Sequence, residues 1–205
     1  MDFLKFKTKM FDFACFSINQ IYAWQADFDR NNISRWLKKG YIFRLKQGYY
    51  AFSEYKSKPD YTFYFANKIY NPSYISLYSA LSFYGIIPEA VVQITSVTPL
   101  KTSTFSNDIG DFSYKTIKPD LMFGYCLKFI TEAKAIKIAT PEKAILDLLY
   151  LYPFYKTEQD LEDLRFEEEY LVENIDKAKL ESLCIQFETL SLEKRVNNFF
   201  KVYNL

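Results

Sequence analysis

The sequence contains no histidine. Ser-His-Asp and Cys-His catalysis, histidine general bases and most catalytic zinc sites are therefore excluded, while carboxylate–metal chemistry is left open. Cysteine is scarce as well: Cys15, Cys126 and Cys184 are widely spaced, odd in number and form no CxxC pair. Neither a disulfide framework nor a structural zinc site is expected, and a reducing cytoplasm fits. No apolar run approaches the roughly 20 residues of a membrane span. The N-terminal MDFLKFKTKM has lysines but no apolar stretch and no small-residue cleavage site, so secretion is not expected either. Walker A, GxGxxG and GxSxG patterns are all missing, which leaves nucleotide-binding and hydrolase readings without a motif.

Hydrophobic residues make up 49% of the 205-residue chain and charged ones 25%, enough apolar material for a folded, soluble protein of one large or two small domains. Aromatics reach 20% but are spread along the whole length, which suits core and interface packing better than a base-stacking platform. The net charge of +1 conceals a polarity. Residues 1–58 carry 11 Lys and Arg against 5 Asp and Glu, whereas residues 59–205 carry 15 against 20. A basic end joined to an acidic remainder fits a nucleic-acid-binding module attached to a second domain with a different task.

Within the basic end, Asp29 to Phe52 is the most informative stretch. Ile33, Trp36 and Leu37 fall at i, i+3, i+4 and form the inward face of a short helix. Asn31, Ser34, Arg35 and Lys38 occupy the other side, with Lys39 following. Gly40 can take the left-handed conformation that ends helices. Tyr41 to Leu45 then alternates, with Ile42 and Arg44 on one face and Tyr41, Phe43 and Leu45 on the other. Lys46-Gln47-Gly48 reads as a three-residue loop, and Tyr49 to Phe52 returns antiparallel. Upstream, Leu4 to Cys15 reads as a first helix with Leu4, Phe11 and Cys15 inward. Ser17 and Gln20 form a capping box that opens a second helix to about Trp24, with Ile18, Ile21 and Tyr22 on its inner edge. Asp27 or Asp29 caps the third. Three helices and a hairpin make a winged helix-turn-helix.

Polar Ser53 to Asp60 reads as a linker. Asp60 caps a helix that buries Tyr61, Tyr64, Phe65 and Ile69 and stops at Asn71-Pro72. The next helix carries Leu77, Ala80, Leu81 and Tyr84 and ends at Gly85. Strands are expected at Val91–Val97, Gly110–Ile117, Tyr125–Thr131 and Ala135–Ala139, the last two as a hairpin. Thr140 as N-cap and Pro141 at the first helical position open a helix with Ile145, Leu148, Leu149 and Tyr152 inward. The remainder reads as a helical tail: acidic Glu158–Val172 with Leu161, Leu164 and Leu171 inward, then a helix with Leu180, Leu183, Cys184 and Phe187. A last helix, capped by Ser191, carries Leu192, Val196, Phe199, Phe200 and Tyr203.

Three segments, in this order and spacing, resemble the AbiEi-type antitoxins and transcriptional regulators of abortive-infection toxin–antitoxin systems. They are Gly40-Tyr41-Ile42 through Arg44-Leu45, Gly48 and Tyr50; Tyr74-Ile75-Ser76-Leu77-Tyr78-Ser79-Ala80-Leu81 with Gly85; and Ala139-Thr140-Pro141-Glu142-Lys143-Ala144-Ile145-Leu146-Asp147. The resemblance covers about residues 28–150 and does not extend to the acidic tail after Pro153. It implies an N-terminal winged helix that binds inverted repeats in its own promoter and represses. It further implies a C-terminal domain that counteracts a nucleotidyltransferase-like toxin without a stable toxin complex, and it allows a role there for Glu142, Lys143 or Asp147, whose residue types are also explained by helix initiation.

These readings combine into an α+β protein. Residues 1–57 form a winged helix-turn-helix, and residues 60–205 form a mixed sheet-and-helix domain with a helical tail. The expected partner is double-stranded DNA, with Asn31, Ser34 and Arg35 at base edges and Lys38, Lys39, Arg44, Lys46 and Gln47 at phosphates or the minor groove. A dimer or cooperatively bound copies are expected, because one short helix contacts few base pairs. No catalytic residue, metal or cofactor is expected. Two rivals stay open: a protein-interaction module on a winged-helix scaffold, and a metal-dependent nuclease built from carboxylates such as Glu158, Asp160, Glu162, Asp163 and Glu167 to Glu169.

Overall fold

The computed structural model describes residues 1–205 and is α+β, built on two sheets. The first part runs α1 (Phe3–Met10), β1 (Cys15–Ser17), α2 (Ile18–Trp24), α3 (Asn31–Lys38), β2 (Ile42–Lys46) and β3 (Tyr49–Phe52). Its three strands are antiparallel in the order β1-β3-β2. The second part runs α4 (Asp60–Ile69), β4 (Tyr74–Ile75), α5 (Leu77–Phe83), β5 (Gln93–Thr98), β6 (Ser103–Asn107), β7 (Gly110–Thr116), β8 (Tyr125–Thr131), β9 (Lys134–Ala139) and α6 (Pro141–Leu151). Its six-stranded sheet has the order β6-β7-β5-β4-β9-β8, parallel at β5–β7 and β4–β9 and antiparallel elsewhere. Four helices close the chain: α7 (Glu158–Glu162), α8 (Glu168–Asn174), α9 (Lys177–Ile185) and α10 (Leu190–Val202).

The N-terminal segment departs from the single helix expected over Leu4–Cys15. α1 stops at Met10, a 3-10 turn spans Phe11–Phe13, Ala14 takes a φ of +61°, and Cys15 then enters β1 beside Ala51. A three-residue strand is too short to leave a period, and its partner lies far along the chain. Leu4 is consequently exposed, while Phe6 and Met10 face the core. Ser17 does form the reciprocal capping box with Gln20, and Ile21 is buried, but Tyr22 is 37% exposed, its ring edge-on to Phe28. The hairpin turn is Gln47-Gly48 alone, two residues rather than three, with a bulge between Arg44 and Lys46 and Gly48 at φ +80°.

The hairpin is covered on both faces, so its strands do not alternate simply between buried and wet. Phe52 packs against Phe6 and Phe16 on the helical side, whereas Phe43 meets Phe65 of α4 on the other at a ring separation of 6.3 Å. Ile42 and Phe43 are therefore both buried. α4 bridges the two sheets: the backbone oxygen of Ala66 accepts from Tyr114 Oη of β7, and Asn67 Oδ1 accepts from the Lys137 N–H of β9. Tyr61, Tyr64, Phe65 and Ile69 are buried, as the stripe requires, together with Ala66 and Asn67, although Asp60 sits inside the helix rather than capping it. Ser53 to Asp60 is no loose linker: Tyr55 is buried on Tyr61 and donates to the Phe11 carbonyl. Buried apolar residues from both parts form one connected cluster.

The strand pairs β5, β7, β8 and β9 lie where alternation places them, within two residues. β4 and β6 carry no such signal, the first through brevity and the second because its STFSN sequence is polar. The acidic stretch is two helices rather than one. Arg165 adopts a φ of +50° between α7 and α8, which turns Leu164 and Phe166 into the core. α10 starts after Thr189 instead of Ser191, and Tyr203 at its end donates to the Leu161 carbonyl, tying the tail down.

Candidate nucleic-acid interface

Packing fixes α3 first. Trp36 is 5% exposed, with its ring 4.5 Å from Phe6, 5.3 Å from Phe3 and 5.8 Å from Phe28, and Ile33 is buried beside it. Such an anchor settles which side of the helix meets solvent. Leu37 is only half-buried, and Asn32 is buried with its amide nitrogen unpartnered. On the opposite side Asn31, Ser34, Arg35 and Lys38 are all exposed at i, i+3, i+4, i+7, followed by exposed Lys39. Gly40, at φ +68°, ends the helix and feeds β2 directly.

Asp29 organises the start of this face. Its Oδ1 accepts from the Asn31 N–H at 2.9 Å, satisfying a free donor of the first turn, and its Oδ2 pairs with Arg35 Nη2 at 3.1 Å. The Arg35 and Asp29 side chains are 63% and 50% exposed. A pair so open to water contributes about 0–1 kcal/mol, so the guanidinium can leave it cheaply for a stronger partner. Lys38 and Lys39 have no carboxylate partner. Arg30, which sequence reasoning passed over, is exposed beside Asn31 and equally unpaired. Its signal was position: a cation at the N-terminal end of a helix lies where anions such as phosphates are held.

The wing is divided. Arg44 and Gln47 are exposed, but Lys46 is not available at the tip. Its Nζ donates to the Ile69 carbonyl at 3.3 Å and lies 4.6 Å from the Tyr70 ring and 4.5 Å from Phe105. Burial there lowers its pKa. The expected phosphate contact for Lys46 is therefore replaced by a cation–π seat, which an alternating strand pattern alone could not reveal. The cause is the β6–β7 turn, which leans on the wing: Asn107 Nδ2 donates to the Leu45 carbonyl at 2.8 Å, and Asp108 pairs with Lys56 at 2.5 Å.

No protein-family model and no curated protein matches the chain.

The Glu142-Lys143-Asp147 group forms a different constellation. Thr140 caps the helix as expected, accepting from the Lys143 N–H. Yet Lys143 and Asp147 are both fully buried and paired through Nζ and Oδ1 at 2.5 Å. Asp147 Oδ2 also accepts from Tyr74 Oη at 2.8 Å and Ser76 Oγ at 2.7 Å. The ammonium sits 4.7 Å from the Phe123 ring and 4.5 Å from Phe187. Burial lowers the lysine pKa and raises the aspartate's, while the mutual attraction works against both shifts. Glu142 is buried at 3% exposure beside the Lys179 ammonium, 2.8 Å away. With no solvent-facing atom, Lys143 and Asp147 tie α6 to β4; they do not form an open site.

The carboxylates of the tail spread over α7, the turn and α8. Asp160 serves the capping box with Thr157, and no three Cys, Asp or Glu side chains are placed to hold a metal ion. Cys15, Cys126 and Cys184 are free thiols. No helix is long and apolar enough to cross a membrane.

Proposed function

We propose that the chain is a sequence-specific DNA-binding repressor in which α3 enters the major groove. The observation that carries this reading is the segregation on α3: Ile33 and Trp36 are buried, while Asn31, Ser34, Arg35, Lys38 and Lys39 are exposed on a helix that passes straight into a hairpin. Asn31 and Arg35 have the donor geometry for adenine and guanine edges, and Arg30, Lys38, Lys39 and Arg44 suit phosphates. Gln47 reaches outward from the turn. Lys46 takes no part. Two copies on an inverted repeat, with half-sites about one helical turn apart, supply the specificity that one short helix lacks.

The ordered resemblance of Gly40–Tyr50, Tyr74–Gly85 and Ala139–Asp147 to AbiEi-type regulators extends the proposal. On it, the chain represses its own operon and acts as antitoxin to a nucleotidyltransferase-like toxin, without catalysis of its own. Competition binding on the upstream promoter tests the DNA part. Arg35→Ala should relax discrimination between the operator and scrambled DNA; equal discrimination by wild type and variant would remove Arg35 as a base reader. Co-expression with the neighbouring toxin gene tests the second part, with restored growth expected. A protein-interaction module would instead show no salt-dependent retention on heparin.

A further inference from the structure

β8 lies at the edge of the six-stranded sheet, with β9 as its only hydrogen-bonded neighbour. Edge strands present unpaired N–H and C=O groups, and natural proteins guard them with proline, charge, brevity or a covering element. β8 runs seven residues, YCLKFIT, with no proline and one charge. Its side chains at alternate positions are large and reach solvent: Tyr125, stacked on Tyr74 along one ring face, is 38% exposed, Leu127 56% and Phe129 70%. They share one face of the strand.

We propose that β8 pairs antiparallel with β8 of a second copy about a two-fold axis at Leu127, forming a weak homodimer with one continuous twelve-stranded sheet. The occupant follows from the order of side chains. Regular pairing with β9 runs from Tyr125 to Phe129 and breaks at a bulge before Thr131, so the midpoint of the usable stretch is Leu127. About that point the strand reads aromatic, Leu, aromatic in either direction. An axis there sets Tyr125 opposite the partner's Phe129 twice and Leu127 opposite itself, the pairs that stabilise antiparallel strands. It also sets Lys128 against the partner's Cys126. An axis one residue on, at Lys128, would set the two lysines face to face, which like charges disfavour. The symmetry is isologous and closes at two copies, since each sheet's other edge, β6, takes no part.

An interface of one strand per copy is small, so association should be reversible and concentration-dependent. No DNA takes part in this pairing, so it stands or falls apart from the reading above. In light scattering after size exclusion, wild type should rise from one chain mass toward two with loading, and Phe129→Lys should stay at one chain mass with an unchanged circular dichroism spectrum. A second variant reads the register directly. In a Cys126→Ser background, where Cys15 and Cys184 are buried, Leu127→Cys should form a covalent dimer on mild oxidation, because opposed residues sit within disulfide reach. Phe129→Cys should not, because Tyr125 faces it. A monomer at every loading, a Phe129→Lys variant that dimerises like wild type, or equal cross-linking by the two cysteine variants would overturn the proposal.

Discussion

Removing one partner of the Lys143–Asp147 pair tests how this structure treats a buried charge. Lys143→Met leaves a carboxylate at zero exposure with only the Tyr74 and Ser76 hydroxyls for company. Asp147→Asn leaves an ammonium among the Phe123, Phe187 and Tyr74 rings with no counter-charge. Each single change should cost about 3–5 kcal/mol, because the orphaned ion keeps its desolvation penalty and loses its Coulomb partner. For a chain of this length that is a fall in Tm of about 6–20 °C, at about 2–4 °C per kcal/mol. The double variant should recover most of it. The introduced amide oxygen would still accept from the two hydroxyls, and methionine fills the aromatic seat without charge, so the expected cost is about 2 kcal/mol or less. Urea and thermal unfolding followed by far-ultraviolet circular dichroism give the four values of the cycle. Singles costing under about 1 kcal/mol, or a double variant equal to their sum, would refute the assignment of a coupled, dry ion pair.

Gly124→Ala should also destabilise, by about 1–3 kcal/mol in urea unfolding, since Gly124 has φ +69° and a Cβ there would lie 3.0–3.1 Å from the Lys143 stem. Stability should decline above about pH 9. Burial raises the Cys15 thiol from 9.0 to about 12 and the Tyr55 and Tyr64 hydroxyls from 10.0 to about 12. The unfolded chain then loses protons that the folded one keeps, so this contribution is intact below pH 9 and lost toward about pH 12. Urea midpoints that stay flat from neutral pH to about pH 11 would contradict it. Lys46→Met should leave DNA affinity within about twofold of wild type, as its ammonium is already committed to Ile69, Tyr70 and Phe105; a marked loss in filter binding would return Lys46 to the interface.

Much of this arrangement can be read from local pattern. Ile33 and Trp36 against Asn31, Ser34, Arg35 and Lys38 is a period, and the structure places each on the side the period demands. The capping residues Ser17 and Thr140 act through neighbours three residues away, within reach of sequence reasoning. What escaped depends on distant partners. β1 exists because Ala51, Tyr50 and Tyr49 come to lie beside Cys15, Phe16 and Ser17. Lys46 is lost to the wing because Tyr70 and Phe105 close over it. The Lys143–Asp147 pair did leave a trace: Ala144, Ile145, Leu146, Leu148 and Leu149 are apolar around the whole helix, and charges in such a helix have no wet side to occupy.

On the proposed reading, α3 and the exposed part of the wing meet duplex DNA through Arg30, Lys38, Lys39 and Arg44, cations that have no carboxylate partner in the protein. Affinity for a promoter fragment, measured by fluorescence anisotropy across a salt series, tests it most directly. With Arg30, Lys38, Lys39 and Arg44 at phosphates, the slope of log K against log salt should be about −3 to −4 for each copy bound, and Lys39→Ala should weaken binding to every sequence evenly and reduce the slope by about 1 per copy. A slope near zero, or one unchanged in Lys39→Ala, would contradict it.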